Sequence, residues 1–159
     1  MVVFMIVGKS EPLYEIEINK SAAEGTDELA YLHQFILFSS LDMINSSMWT
    51  NSATLVPSHL LSFRNPVKNS PMTLICCFRF LRVVDKFNFL LVSAFATQGG
   101  KLLLLLHNGK NEDAVRAFFI DVHELYVKYL MNPFVAADSP ITSPQFDGHV
   151  RTLAKRYLA

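Results

Sequence analysis

The chain has 159 residues, 51% of them apolar and 18% charged, a length and composition that suit one compact domain with a full core. Its 14 Lys and Arg balance 14 Asp and Glu, and this zero net charge argues against a nucleic-acid binder, which needs a basic excess to meet phosphates. The high apolar fraction argues equally against an acidic disordered chain.

Val2 to Val7 is continuously apolar and rich in β-branched residues, which predicts a strand covered on both faces. After turn chemistry at Gly8–Pro12, residues 13–18 alternate, with Tyr14, Ile16 and Ile18 on one face and Glu15 and Glu17 on the other. That pattern predicts a half-exposed edge strand in a hairpin with the first. Helical spacing follows. Leu29, Leu32, Phe35 or Ile36, Ser39, and Met43 or Ile44 recur at three- and four-residue steps, predicting one helix over about 27–44. Thr26 is its candidate cap.

The middle differs in character. Asn45 to Ser52 is mostly polar, and the stretch from Thr54 to Phe78 holds Pro57, Pro66 and Pro71 among apolar clusters without a period, so it reads as an insertion in the single domain. Regular patterning returns with a short strand over 80–84, a turn at 85–88 and a longer strand over 89–97. Gln98-Gly99-Gly100 then signals a hairpin into a return strand over 101–107, whose unbroken leucine run predicts cover on both faces.

Val115, Phe118, Phe119, Val122, Leu125, Tyr126, Tyr129 and Leu130 form one apolar stripe of a helix, which starts near Asn111-Glu112-Asp113 and stops before Asn132-Pro133. Ser143-Pro144 reads as a cap followed by Pro at the first helical position. Phe146, Val150, Leu153 and Tyr157 give the last helix its stripe. The element order is ββαβββαα. It predicts an α/β (α+β) sandwich, with a mostly antiparallel five-stranded sheet whose first and fifth strands lie side by side at the centre between helices.

No pattern carries chemistry. His123-Glu124 opens a metalloprotease-like motif, but Val127 stands where the second histidine belongs, so no metal site is expected. The histidines 33, 59, 107, 123 and 149 are scattered and read as surface or hydrogen-bonded structural residues. Cys76 and Cys77 are adjacent, too close for an ordinary disulfide, and Cys76 lies among apolar neighbours that disfavour a thiolate. No cofactor is expected, since Gln98–Lys101 lacks the spacing of a phosphate loop, and no nucleophile elbow occurs. Neither apolar run approaches the ~18 residues of a membrane span. Ser39 and Ser40 read as small residues for close packing.

The element order and a set of local runs resemble the sedlin family, a small subunit of the TRAPP vesicle-tethering complex. The matching runs include Met5-Ile6-Val7-Gly8, residues 32–36, Leu41-Asp42, Met48-Trp49, residues 84–88, Val92-Ser93-Ala94-Phe95 and Leu106-His107. Residues 118–122, Met131-Asn132-Pro133-Phe134, Ser139-Pro140-Ile141 and Phe146-Asp147 continue the set. The resemblance covers nearly the whole chain, apart from about 54–78, which has no family counterpart and reads as a loop or a retained intron. It implies a longin-like fold with one helix on one face of the sheet and two on the other. It also implies a non-enzymatic adaptor in endoplasmic reticulum to Golgi transport, bound to other TRAPP subunits and cytoplasmic, with only peripheral or partner-mediated membrane contact. A coat-adaptor small chain or a SNARE regulatory domain is the alternative within the same fold.

Four residues stand out as interface candidates. Asp42, placed near the end of the first helix, sets a carboxylate against the helix dipole, for which either plain solvation or a basic group on a neighbouring subunit would account. Phe134 and Val135 follow the Asn-Pro stop, where burial is hard, and suit interface anchors. Trp49 joins them from the Met48-Trp49 run.

Overall fold

The computed structural model of the chain describes residues 2–8, 11–18, 27–50, 79–97, 99–136 and 138–158, and for residues 27–30, 45–50 and 79 their backbone only. The order is β1 (Val2–Val7), β2 (Pro12–Ile18), α1 (Asp27–Thr50), β3 (Arg79–Phe87), β4 (Leu90–Ala96), β5 (Leu102–His107), α2 (Glu112–Leu130) and α3 (Pro144–Tyr157). The strands form one sheet in the order β2-β1-β5-β4-β3, with every neighbouring pair antiparallel. As the two unbroken apolar runs predict, β1 and β5 pair with each other, Val2 opposite His107 and Val7 opposite Leu102.

Both faces of this central pair are covered. Val2, Phe4 and Ile6 of β1, with Leu103 and Leu105 of β5, pack into a core under Val115, Phe118, Phe119 and Val122 of α2 and Phe146, Val150 and Ala154 of α3. Val3, Met5 and Val7, with Leu104 and Leu106, pack on the other face against Ile36, Leu37 and Ile44 of α1. Side chains alternate across a strand, so a strand between two apolar layers has no position left for a polar residue. The Phe4 ring meets Phe118 edge-on at 5.3 Å, and Phe95 stacks on Phe119 at 5.7 Å. The paired phenylalanines of α2 are thus core.

Several local elements form as their residues predict. Asn111 caps α2, its side chain accepting the Asp113 N–H at 3.0 Å. Ser143 caps α3 and Pro144 occupies its first turn, where the missing N–H has no partner to lose. At the hairpin between β4 and β5, Gly100 has φ +71, a conformation that favours glycine.

Three sequence expectations change. First, α1 runs to Thr50, six residues beyond Ile44. Asn45-Ser46-Ser47 are modest helix formers, but extending an existing helix needs only one residue fixed per added hydrogen bond. Asp42 therefore lies two turns from the helix end, and the dipole argument for it does not apply. Second, β3 continues through Asp85, Lys86 and Phe87, and the turn is a tight pair, Asn88-Phe89, with φ +53 at Asn88. The polar residues misled because β3 is an edge strand with solvent beside it, and Asn tolerates the left-handed conformation that a two-residue hairpin needs. Third, the core stripe of α1 is made by Ile36, Leu37 and Ile44 with His33 and Ser40. Leu32, Phe35, Ser39 and Met43 are exposed. The side chain of Leu29, the Thr26 cap, Cys76, Cys77, His59 and the whole 54–78 segment lie outside the described residues.

Both sheet edges are modified. At β3 the register shifts twice, between Phe80 and Val83 and between Val83 and Asp85, and Arg82 takes φ +55. Such irregularity blunts an edge against pairing with another strand. At β2 the Leu13 carbonyl accepts the Ile141 N–H at 2.8 Å, so the loop ahead of α3 lies along that edge.

Candidate partner-docking surface

The outward side of α1 is the most apolar exposed helix face among the described residues. Tyr31 is 70% exposed, Phe35 69% and Phe38 38%, and Leu32 and Met43 flank them. At about 100° per residue, positions 31, 35, 38 and 42 fall within about 60° of arc, while Ile36, Leu37, Ser40 and Ile44 fall on the opposite side. The helix thus carries two apolar stripes, one on the sheet and one on solvent. Exposed Asp42 lies in the outward stripe, one turn after Phe38 and two after Phe35. An isolated exposed phenylalanine is ordinary. Three large aromatics in line on one helix face make a contiguous patch of the kind that marks an interaction site.

Side chains on neighbouring elements hold α1 in place. Gln34 donates to a Glu15 carboxylate oxygen of β2 at 2.7 Å, tying the helix flank to the edge strand. Ser40 is fully buried, and its hydroxyl donates to the Leu37 carbonyl at 2.7 Å. Its neighbour Ser39 faces out instead.

The Phe134 anchor sits elsewhere. It is 94% exposed in the loop after α2, and its N–H donates to the Asn132 side-chain oxygen at 3.1 Å, a local turn that projects the ring. Val135 is half-buried beside it, its N–H bonded to the Asn132 carbonyl. The loop is fastened farther along by an ion pair between Lys101 and Asp138 and by the Ile141–Leu13 bond. Met131, 77% exposed, adjoins Phe134 in sequence. Asp42 belongs to the layer on one side of the sheet and Phe134 to the layer on the other, so the four candidates do not converge on one site. Trp49 lies in the last turn of α1, five helical turns from Tyr31 and so at the same register position. Its side chain is outside the described residues.

The side chains that resemble catalytic groups have structural geometry. His107 is buried, its Nδ1 accepting the Lys110 N–H at 3.2 Å and its Nε2 lying 2.9 Å from the Ser93 hydroxyl. With Nδ1 accepting, the proton resides on Nε2 and is donated to Ser93, which is the opposite polarity from a base that activates a hydroxyl. Burial first, and the nearby Lys110 charge second, push the His107 pKa down, which keeps the ring neutral. Burial also lowers His123, whose ring lies 6.1 Å from that of Phe95. Tyr14 of β2 donates to Asp147 of α3 at 2.8 Å, and Arg151 binds the other Asp147 oxygen at 2.7 Å. Burial and this acceptor push the phenol of Tyr14 well above its ordinary value. Arg151 and Tyr14 in turn hold the Asp147 carboxyl below the usual range. Tyr157 donates to Asp121 at 2.7 Å and so links α3 to α2. Among the described residues, no group of three metal-binding side chains converges.

A family model described as Sedlin matches residues 6–156. The transport protein particle 20 kDa subunit of Schizosaccharomyces pombe is 32% identical over 157 residues, covering 96% of both chains. The trafficking protein particle complex subunit 20 of Saccharomyces cerevisiae is 36% identical over 178 residues, covering 98% of this chain and 97% of its own. A probable trafficking protein particle complex subunit 2 of Drosophila melanogaster is 28% identical over 159 residues, covering 98% of this chain and 95% of its own.

Proposed function

The chain belongs to the sedlin family, and from that membership we propose that it is a subunit of a TRAPP-type vesicle-tethering complex. It serves there as a non-enzymatic adaptor in endoplasmic reticulum to Golgi transport. The reading draws on relatives that are named as subunits of such complexes and that match nearly end to end. The observation that carries it is the second apolar stripe of α1, Tyr31, Phe35 and Phe38 around Asp42, which the domain's own core leaves uncovered. A protein that works by docking needs such a patch, and a partner that buries it gains roughly 25 cal/mol per Å² of apolar surface before the costs of association. In this reading Asp42 is the charge a partner must match, and Phe134 with Val135, on the opposite layer, anchors a second contact. Two docking faces on opposite sides of a sheet suit a linking role between neighbours. The protein is cytoplasmic, and its membrane contact is peripheral or made through partners. No described helix is long and apolar enough to cross a membrane.

Affinity capture of the tagged chain from lysate, read by mass spectrometry, tests this. Other TRAPP subunits are expected in the captured set. Asp42→Tyr is expected to keep the wild-type melting temperature and to lose one or more of those subunits. A wild-type capture that holds none of them would refute the reading, and an Asp42→Tyr chain that fails to fold would give Asp42 a structural role instead.

A further inference from the structure

The hairpin between β3 and β4 ends in two large apolar side chains. Phe87 closes the ladder opposite Leu90, and Asn88-Phe89 make the two-residue turn between them. Such turns ordinarily take Asn, Asp or Gly, which suit both the backbone and water. Phe89 is instead 83% exposed, and Phe87 beside it is exposed as well, so two rings meet solvent at one point of the molecule. The hairpin also projects. The last pair that β4 makes with β5 is Leu91 opposite His107, so Phe89 lies two residues beyond that rung. At about 3.3 Å per residue this is a reach of roughly 7 Å.

We infer that this tip dips into the headgroup layer of an anionic membrane, a direct lipid contact made by the chain itself. It goes beyond the adaptor reading and does not depend on it. Area and shape select the occupant. Two phenylalanine rings bury about 300–500 Å² at most, against the roughly 800 Å² per partner of a stable protein interface. A bilayer needs no complementary groove, and apolar side chains gain there in proportion to the area they bury. The reach of the hairpin matches the ~5–10 Å to which interfacial apolar groups sink. It goes no deeper, because the outward backbone groups of a turn need water or headgroups as partners and hydrocarbon supplies none. The charge behind the rings fits an anionic surface. Residues 79–89 hold Arg79, Arg82 and Lys86 against the single acid Asp85, whose carboxylate accepts the Lys86 backbone N–H at 2.7 Å. Arg82 and Lys86 are exposed, on stems long enough to meet phosphates while the rings are immersed. Past β5, Lys110 is offset by Glu112 and Asp113, so the rings carry the larger share of the attachment.

Flotation of the full chain with vesicles of phosphatidylcholine and phosphatidylserine tests this. The chain is expected to float with them, and less with phosphatidylcholine alone. Phe89→Asp is expected to lower the partition coefficient at least about tenfold, with an unchanged melting temperature, and Phe89→Trp to retain it. A second measurement reads which part of the molecule is immersed. Brominated lipids are expected to quench the indole of Phe89→Trp and not that of Phe134→Trp, against the Trp49 background common to both. Phe134 is at least as exposed, but it lies at the other end of the sheet, in the loop that Asp138 ties to Lys101 at the start of β5. No flotation with the anionic vesicles, a partition coefficient unmoved by Phe89→Asp, or equal quenching at the two positions would each overturn the inference. A Phe89→Asp chain that keeps its vesicle binding and loses a TRAPP subunit from capture would assign the tip to a protein instead. Capture of TRAPP subunits by the unsubstituted chain tests the adaptor reading separately, so either result can fail while the other stands.

Discussion

The buried pair His107 and Ser93 gives the core a pH dependence. His107 spans the end of β5, held by the Lys110 N–H on one ring nitrogen and by Ser93 on the other. Protonation would remove the acceptor at Nδ1 and bury a charge beside Lys110, so the folded-state pKa lies below the ordinary 6.5. The unfolded chain then binds more protons than the folded one once the pH drops below about 6.5, and stability falls from there down through the folded pKa. His123, lowered by burial, adds in the same direction. Thermal melts at pH 7.5, 6.5 and 5.5 are expected to show a declining melting temperature. His107→Asn, which starts lower, is expected to show a shallower decline. Asp147 is shifted in the same direction, so its contribution also declines as the pH falls. Its carboxyl is held low by Arg151 and Tyr14, so its contribution is lost only at more acid pH, and its exposure to solvent keeps that contribution small.

At the scale of the element, α1 and α3 invite contrasting substitutions. On α1, Leu37 is fully buried against the sheet and Phe35 faces solvent. Leu37→Ala is expected to destabilise by about 2–5 kcal/mol, and Phe35→Ser by under about 0.5 kcal/mol, in chemical denaturation. The order reverses in partner capture, with Phe35→Ser the more damaging of the two relative to the fraction folded. On α3, Gly148 sits in the helix with open space where a side chain would go. Gly148→Ala is expected to raise stability by about 1 kcal/mol, read as a higher denaturation midpoint with the slope unchanged. The phase of α1 was ambiguous in the sequence. With Phe35 beside Ile36 and Met43 beside Ile44, periodicity allows either stripe to face the core, and only the packing of Ile36 and Ile44 beneath β1 and β5 resolves it. By contrast α2 and α3 each have one apolar stripe and a capping residue, so both the phase and the start were legible.

For the whole molecule, a central strand pair buried on both faces makes a sandwich whose stability resides in β1, β5 and the helices above and below. In the sequence the 54–78 segment falls between α1 and β3, and β3 is an edge strand of the sheet. On the reading that it is an addition to the family domain, a chain lacking Thr54 to Phe78 is expected to unfold cooperatively with a melting temperature within a few degrees of the full chain. It is also expected to capture the same partners. Loss of the folded state on deletion would make the segment part of the domain.

The sequence by itself determined the element order, the central pairing of the first and last strands, and the start of α2 and α3. Each of these follows from local rules, the two-residue strand period and the capping chemistry, that need no knowledge of neighbours. Only the tertiary structure decided which side of α1 faces water, and hence that Tyr31, Phe35 and Phe38 form a surface with Asp42 while Phe134 lies on the opposite layer. A residue's periodicity says what shares its face. What that face meets depends on contacts made across long stretches of chain.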